Sequence, residues 1–220
     1  MKLVNPYEYK PLSRIETGNF RCYDLGNGFP VPSVTTILDA TTDKAFLEEW
    51  KERVGEAEAK KISEQSSSVG TQIHLNLENY IKHGTTPSGK MLERLLSKLL
   101  IDKALPKITD VWGLEAPLYV TDLYAGTADM IALFNSVPSI CDFKNSRKFK
   151  KKEWIENYFL QLAAYALAHN TMFGTNINQG VVMIATWDGV YQEFVINGVE
   201  FNEYTEKWLN RVEQFYQQAK

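Results

Sequence analysis

The spacing of apolar residues changes once along this chain, and the change restricts it to a helical first half followed by a sheet. Phe46, Leu47, Trp50 and Val54, then Val69, Ile73, Leu77, Tyr80 and Ile81, recur every three or four residues, the period of an amphipathic helix. Beyond residue 110 the period drops to that of a strand: residues 111–121, 124–134 and 139–145 are short β-prone runs separated by turn residues, and they predict a three-stranded meander. A helix over 154–169 follows, then strands over 180–187 and 191–196 hinged at Asp188-Gly189. The closing helix, from about residue 200, carries Phe201, Tyr204, Trp208, Val212 and Phe215 on one face.

Caps and breakers set the boundaries upstream. Residues 20–25 and 29–31 flank Gly26-Asn27-Gly28 as a β-hairpin, and Pro30 confines its second arm to an edge. Ser33 is placed to cap a short helix through Leu38, and Asp43 opens a longer one. The polar Ser66-Ser67-Ser68 stretch is expected to end that segment, with further helices over 69–82 and 91–100. The expected fold class is α/β, with αβββαβ order in a single domain over residues 1–220. Residues 1–110 make a mainly helical lobe with the hairpin, and 111–220 the sheet core and the last helix.

A formal net charge of −3 over 220 residues argues against indiscriminate binding to a polyanion, which leaves a basic footprint over a whole domain. The charge is segregated, however. Lys144, Arg147, Lys148, Lys150, Lys151 and Lys152 form a basic run, while acid gathers in 48–64 and in the last helix. Cys22 and Cys141 are far apart and without CxxC spacing, so no disulfide framework and no four-cysteine metal site is available. The start MKLVNPYEYK lacks an apolar leader core and no apolar run reaches spanning length, so a cytoplasmic protein without a membrane partner is expected. No ATP-binding loop is present in the sequence, and no nucleotide cofactor is expected.

The chemistry gathers in the strand 139–145. In Cys141-Asp142-Phe143-Lys144 the acid and the amine share one face, and Phe143 points the other way as an anchor in the core. Hydrolysis of a phosphodiester needs such a pair: a carboxylate to hold a divalent metal, and an ammonium to orient the attacking water and offset developing charge. An isolated Asp-x-Lys also suits an ion pair on a solvated edge strand. The preceding strand supplies Asp129 after Gly126-Thr127-Ala128, where small residues permit close backbone approach. Flanked by Ala128, Met130 and Ile131, that acid is costly to bury unless it is paired or metal-bound. Asp142 and Lys144 are expected to face a wet, metal-lined cleft, not the core.

Gly126-Thr127-Ala128-Asp129, Asp142-Phe143-Lys144 and Gln161-Leu162-Ala163-Ala164-Tyr165, in this order and spacing, resemble the PD-(D/E)XK nuclease superfamily and within it the RecB-like exonuclease branch. Gly70-Thr71-Gln72-Ile73-His74 resembles the helical histidine motif of that branch. Pro32-Ser33-Val34-Thr35-Thr36-Ile37-Leu38 extends the similarity towards the mitochondrial genome maintenance exonuclease and its phage relatives, which fits a phage-encoded chain. The resemblance implies a restriction-endonuclease-like core whose helical lobe covers the site and admits a single strand. It also implies that His74, Asp129 and Asp142 bind Mg2+ or Mn2+ with the Phe143 carbonyl, while Lys144 positions the water. A histidine nitrogen among oxygens favours Mn2+, availability favours Mg2+, and zinc is not expected as the working ion.

On this resemblance the expected activity is that of a DNA exonuclease acting on single-stranded DNA with free ends, in DNA replication, repair or recombination. Two rivals remain open: a structure-specific or double-strand nuclease of the same superfamily, and a non-catalytic nuclease-fold subunit that binds DNA. The missing cysteines disfavour the branch's iron-sulfur variant.

Glu115 depends on register. A three-residue turn at 121–123 puts it opposite Asp129, where it is an auxiliary ligand, whereas a two-residue turn pairs it with Ala128. Glu78, one turn after His74, is either a partner of that histidine or a surface acid. Gln161 and Tyr165 share a helix face; they either pack there or, as the resemblance implies, support the lysine or touch DNA. The run Arg147, Lys148, Lys150, Lys151 and Lys152 lies where a strand leaving the metal would pass, with Phe149 or Trp154 available for stacking, unless it is only a solvated loop.

Overall fold

In a computed structural model, which describes residues 1–18 and 20–218 apart from the Phe46 side chain, the alternating runs of the second half pair into one mixed sheet. The meander consists of β5 (Ile108–Val120), β6 (Tyr124–Phe134) and β7 (Val137–Ser146). Ahead of it come β1 (Lys2–Leu3), β2 (Ser13–Thr17), β3 (Phe20–Asp24), β4 (Val31–Pro32), α1 (Val34–Thr41), α2 (Ala45–Val54), α3 (Glu56–His83) and α4 (Met91–Lys103). After it come α5 (Glu156–Phe173), β8 (Gln179–Thr186), β9 (Tyr191–Asn197) and α6 (Gly198–Gln218). The αβββαβ order is therefore present.

Short turns make β5, β6 and β7 antiparallel neighbours, whereas α5 carries the chain back so that β8 joins β7 in parallel. β9 returns antiparallel to β8, and β1 adds a parallel edge beyond β5, giving the order β1-β5-β6-β7-β8-β9. Every residue of β8 is buried, because helices cover both faces of the sheet there. That explains its apolar run from Val181 to Ala185.

The two faces bury separate cores. On one, Ile73 and Leu77 of α3 and Leu96 and Leu100 of α4 pack on Met130, Cys141, Phe143 and Met183. On the other, Ile37 of α1, Phe159 and Leu162 of α5 and Trp208 of α6 pack on Leu118, Tyr124, Ile140 and Val182. Among the described residues no helix is long and apolar enough to cross a membrane.

Several boundaries differ from expectation. The helix through Ser66-Ser67-Ser68 is continuous: serine is a mediocre helix former, not a breaker, and nothing in the three residues denies the backbone its bonds. The break falls at Gly55 instead, whose φ of 85° few other residues adopt without strain. At the other end of the sheet, residues 152–154 form a single 3-10 turn, so α5 opens at Glu156 and not at residue 154. The hairpin exists with a wider loop, pairing Tyr23 with Val31 and Cys22 with Pro32, and β4 is an edge. Its other neighbour, β2, was missed because it is exposed nearly throughout and carries no apolar alternation.

Trp208 is the largest fully buried side chain, and its ring meets Tyr124 edge to face at a centroid separation of 4.9 Å. Its indole N–H has no hydrogen-bond partner among the described residues. Trp208→Ala should therefore lower the unfolding free energy by about 3–5 kcal/mol, whereas Trp208→Phe, which removes the unsatisfied N–H with less of the volume, should cost less than half of that. Urea denaturation of the two variants checks the difference.

Candidate active site

The ladder between β6 and β7 runs from Phe134–Val137 to Met130–Cys141 and stops there. At the next residue the Asp129 carboxylate replaces a strand: its Oδ2 accepts the Phe143 backbone N–H at 2.8 Å. A side chain in the place of a ladder partner lets the two strands part while leaving no backbone donor unpaired.

β5 changes course at the same level. Leu114 and Met130 pack on the α3–α4 side, whereas Ala116 and Ala128, two residues further along each strand, pack on the α1–α5–α6 side. Residues two apart on a regular strand share a face, so the alternation is broken at the residues between them, Glu115 and Asp129. Glu115 carries a φ of 46°, sparsely populated for a residue with a side chain. The turn at 121–123 has three residues, closed by the Leu123 N–H donating to Val120 O, and the constant pairing from Val120–Tyr124 to Leu114–Met130 sets Glu115 across from Asp129. Of the two registers open in the sequence, the structure has the one that brings this acid to the site.

His74 comes down from α3 onto the parted strands. Its Nε2 lies 3.0 Å from the Phe143 carbonyl, and its Nδ1 lies 3.5 Å from Glu115 and 3.6 Å from Asp129. Burial pushes the imidazole towards neutrality, but the Asp129 charge and the Glu115 hydrogen bond outweigh it and raise its pKa to about 9. Ligand atoms of His74, Glu115 and Asp129 all lie within 4.8 Å of one another, close enough to share one metal ion. Two carboxylates and an imidazole, with a backbone carbonyl alongside, form a mostly oxygen donor set that suits a hard divalent cation. Glu78 lies one turn further on and pairs with Lys82 at 2.5 Å.

Asp142 is not in that trio. Its side chain is buried, not in an open cleft as expected: Oδ1 takes the Lys144 ammonium at 2.5 Å, and Oδ2 has no partner among the described residues. Burial pushes its carboxyl up against the opposing pull of Lys144. An orphaned buried carboxylate oxygen costs free energy unless something positive meets it. For Lys144, burial lowers the affinity for a proton, yet Asp142 and Asp129 overcome this and hold the ammonium well above its ordinary value.

α5 backs the lysine. Gln161 Oε1 is 3.4 Å from Lys144 Nζ, Gln161 Nε2 is 3.5 Å from the Tyr165 hydroxyl, and the ring of Tyr158 lies 5.2 Å from Nζ. Tyr165 fills the space over Gly126, where a Cβ would come within 2.8 Å of the ring. The small residues before Asp129 therefore make room for this helix. Tyr158 was missed in the sequence, although its spacing of three and seven residues from Gln161 and Tyr165 puts it on their face. Asn145 was missed as well: it donates to Ser66 O at 3.3 Å and accepts from Trp187 Nε1 at 2.9 Å, tying α3 to the end of β7. A lone asparagine leaves no periodic signal.

The basic run divides. Lys152 is held by Glu200 at 2.5 Å, and the Arg147 guanidinium stacks on Trp187 at 4.4 Å while also bonding Gln65. Lys148, Lys150 and Lys151 have no carboxylate partner among the ion pairs of the described residues.

No protein-family model matches the chain, and no curated protein matches it. Among solved structures it is similar to one from Eubacterium rectale that bears the name "Putative exonuclease", with 13% identity over 70% of this chain and 65% of that chain at a TM-score of 0.47. It is also similar to the structure named SSO0001, with 16% identity over 76% of this chain and 68% of the other at a TM-score of 0.38. The chain spans just under two thirds of the length of the first. At these values the likeness concerns the course of the chain and identifies no residue of the site.

The His74 geometry has a pH signature. Because its folded pKa of about 9 exceeds the ordinary 6.5, its contribution to stability is complete below pH 6.5 and is lost as pH rises through about 9. In a chelating buffer the unfolding free energy should fall across that window, and His74→Gln should remove the fall. Denaturant titrations at several pH values measure both.

Proposed function

We propose that the chain is a metal-dependent DNA exonuclease that hydrolyses phosphodiester bonds in single strands with free ends, within the RecB-like branch of the PD-(D/E)XK superfamily. The observation that carries the reading is the unpartnered buried Oδ2 of Asp142 beside the Lys144 ammonium, at the point where β6 and β7 part around the His74, Glu115 and Asp129 trio. Asp129, Asp142 and His74, the Phe143 carbonyl and Glu115 are the residues that would hold Mg2+ or Mn2+. Such a cation supplies Lewis acidity at the phosphate and offsets the charge that develops there.

The chain's own groups do the rest. Lys144 stays protonated, so it orients the attacking water by donating to it and places positive charge near the forming bond. Gln161 holds the ammonium from α5, with Tyr165 behind it. On the α3 side a cavity of about 440 Å³, lined by Gly70, Thr71, His74, Leu75, Glu78 and Glu115, gives a route to the trio along the helix. DNA replication, repair or recombination is the setting in which such an activity works.

End-labelled linear single strands should be degraded with Mn2+ or Mg2+ and left whole in EDTA. The closed circle of the same sequence should resist. Equal rates on circle and line would point to an endonuclease, and faster loss of duplex ends to a double-strand enzyme.

Asp142→Ala and Lys144→Ala should each reduce turnover at least 10²- to 10³-fold, on the order of the loss of one charge-stabilising group. Their effects on folding should differ. Lys144→Ala leaves a buried carboxylate without its cation and should cost about 3–5 kcal/mol, whereas Asp142→Asn removes the charge that needs pairing and should cost less. Thermal melts beside the kinetics separate impaired chemistry from impaired folding, and near-normal cleavage by either alanine variant would refute the assignment.

A further inference from the structure

We propose that the loop joining β7 to α5 is a stacking platform for the bases of a single nucleic-acid strand, with Phe149 and Trp154 as the stacking rings and Lys148 and Lys151 as phosphate contacts. The proposal rests on the nuclease reading only in taking the bound polymer to be the strand that leaves the site along β7.

Both rings face solvent: Phe149 is 59% exposed and Trp154 is 62% exposed. Looseness of the loop does not account for this. The Lys150 N–H donates to Gln192 Oε1 at 2.8 Å, Gln192 Nε2 returns a bond to the Lys150 carbonyl at 2.7 Å, and Gln192 itself is buried. Upstream, Ser146 Oγ donates to the Lys148 carbonyl at 2.7 Å; downstream, buried Ile155 closes the 3-10 turn that carries Trp154. A backbone pinned at both ends and in the middle thus displays two large rings outward. Holding apolar surface in water at a fixed geometry is unfavourable unless a partner covers it.

The charges around the rings indicate which partner. Lys148 and Lys151 have no carboxylate partner among the ion pairs of the described residues, and Lys151 Nζ lies 5.2 Å from the Trp154 ring centre. The chain as a whole is acidic, with a net charge of −3, so a cluster of cations in one loop is a local complement to a polyanion. Cations set among two aromatic rings offer charge to phosphates and flat faces to bases, and they do so without regard to sequence, since every base has a π face. In a duplex those faces are already stacked in pairs. The platform therefore favours unpaired strands. The loop that carries it starts just past the end of β7, the strand that bears Lys144.

The test uses the 220-residue chain in EDTA, so that no strand is cut, and fluorescence anisotropy with three labelled probes of equal length: oligo-dT, an abasic strand with the same phosphates, and a duplex. Phe149→Ala and Trp154→Ala should each weaken oligo-dT binding by about 5- to 150-fold, the measured range for one base on one ring. Binding of the abasic strand and the duplex should change less than twofold, and Trp154→Phe should restore most of the affinity. Salt dependence should separate the ring interactions from the ionic ones. The ring variants should keep the wild-type slope of log K against log salt, and replacing Lys148 and Lys151 by Gln should lower it by roughly 0.7 for each phosphate no longer neutralised.

Wild-type oligo-dT affinity in the ring variants, an equal loss on the abasic strand, or no binding of oligo-dT by the wild type would each overturn the platform. So would an acidic peptide that binds the loop in preference to oligo-dT. Cleavage in Mn2+ is scored separately. Cleavage of linear strands with ring-independent binding sinks the platform and leaves the nuclease reading, whereas ring-dependent binding without any cleavage does the reverse.

Discussion

One hydrogen bond organises this site: the Asp129 carboxylate accepting the Phe143 N–H where a strand would otherwise pair. It satisfies the backbone donor that the end of the β6–β7 ladder would leave buried. It also holds the acid at the mouth of the opening it creates, so one contact both parts the sheet and arms the gap. Glu115, strained across from it on β5, and His74 converge on the same point, because His74 reaches Glu115, Asp129 and the Phe143 carbonyl together.

The electrostatics follow from that convergence. Three carboxylates, Glu115, Asp129 and Asp142, face one ammonium and an imidazole whose pKa they raise to about 9, so acidic groups outnumber basic ones in the set. Exchanging the imidazole proton for a divalent cation would offset that deficit of positive charge. The unsatisfied Asp142 oxygen marks the same deficit at the level of a single atom. Lys144 cannot relieve it alone, because its ammonium already makes its short contact with the other oxygen.

Burial on both sides of the sheet makes this arrangement durable. Phe143 is locked into the α3–α4 core while its neighbours Asp142 and Lys144 turn to α5, so the strand that carries the chemistry is packed from both faces. Asn145 and the loop held by Gln192 extend that rigidity past the end of β7, towards the basic and aromatic surface.

Residue patterns alone determined the succession of helices and strands, since periods of 3.6 and 2 follow directly from backbone geometry, and they placed Asp142, Phe143 and Lys144 on their proper faces. They also placed Gln161 and Tyr165 together on one helix face. The fate of Lys152 was decided elsewhere, by Glu200, which is distant in sequence, whereas the continuity of α3 through its serines and the β2–β3 hairpin are local features that carry no apolar alternation to reveal them. The clearest case is Glu115. Its sequence context allowed two registers, and the choice fell to a three-residue turn and to a face switch shared by two strands, which no local pattern encodes. In the same way the burial of Asp142 could not be read from its neighbours, because desolvation depends on what the far helices bring to cover the strand.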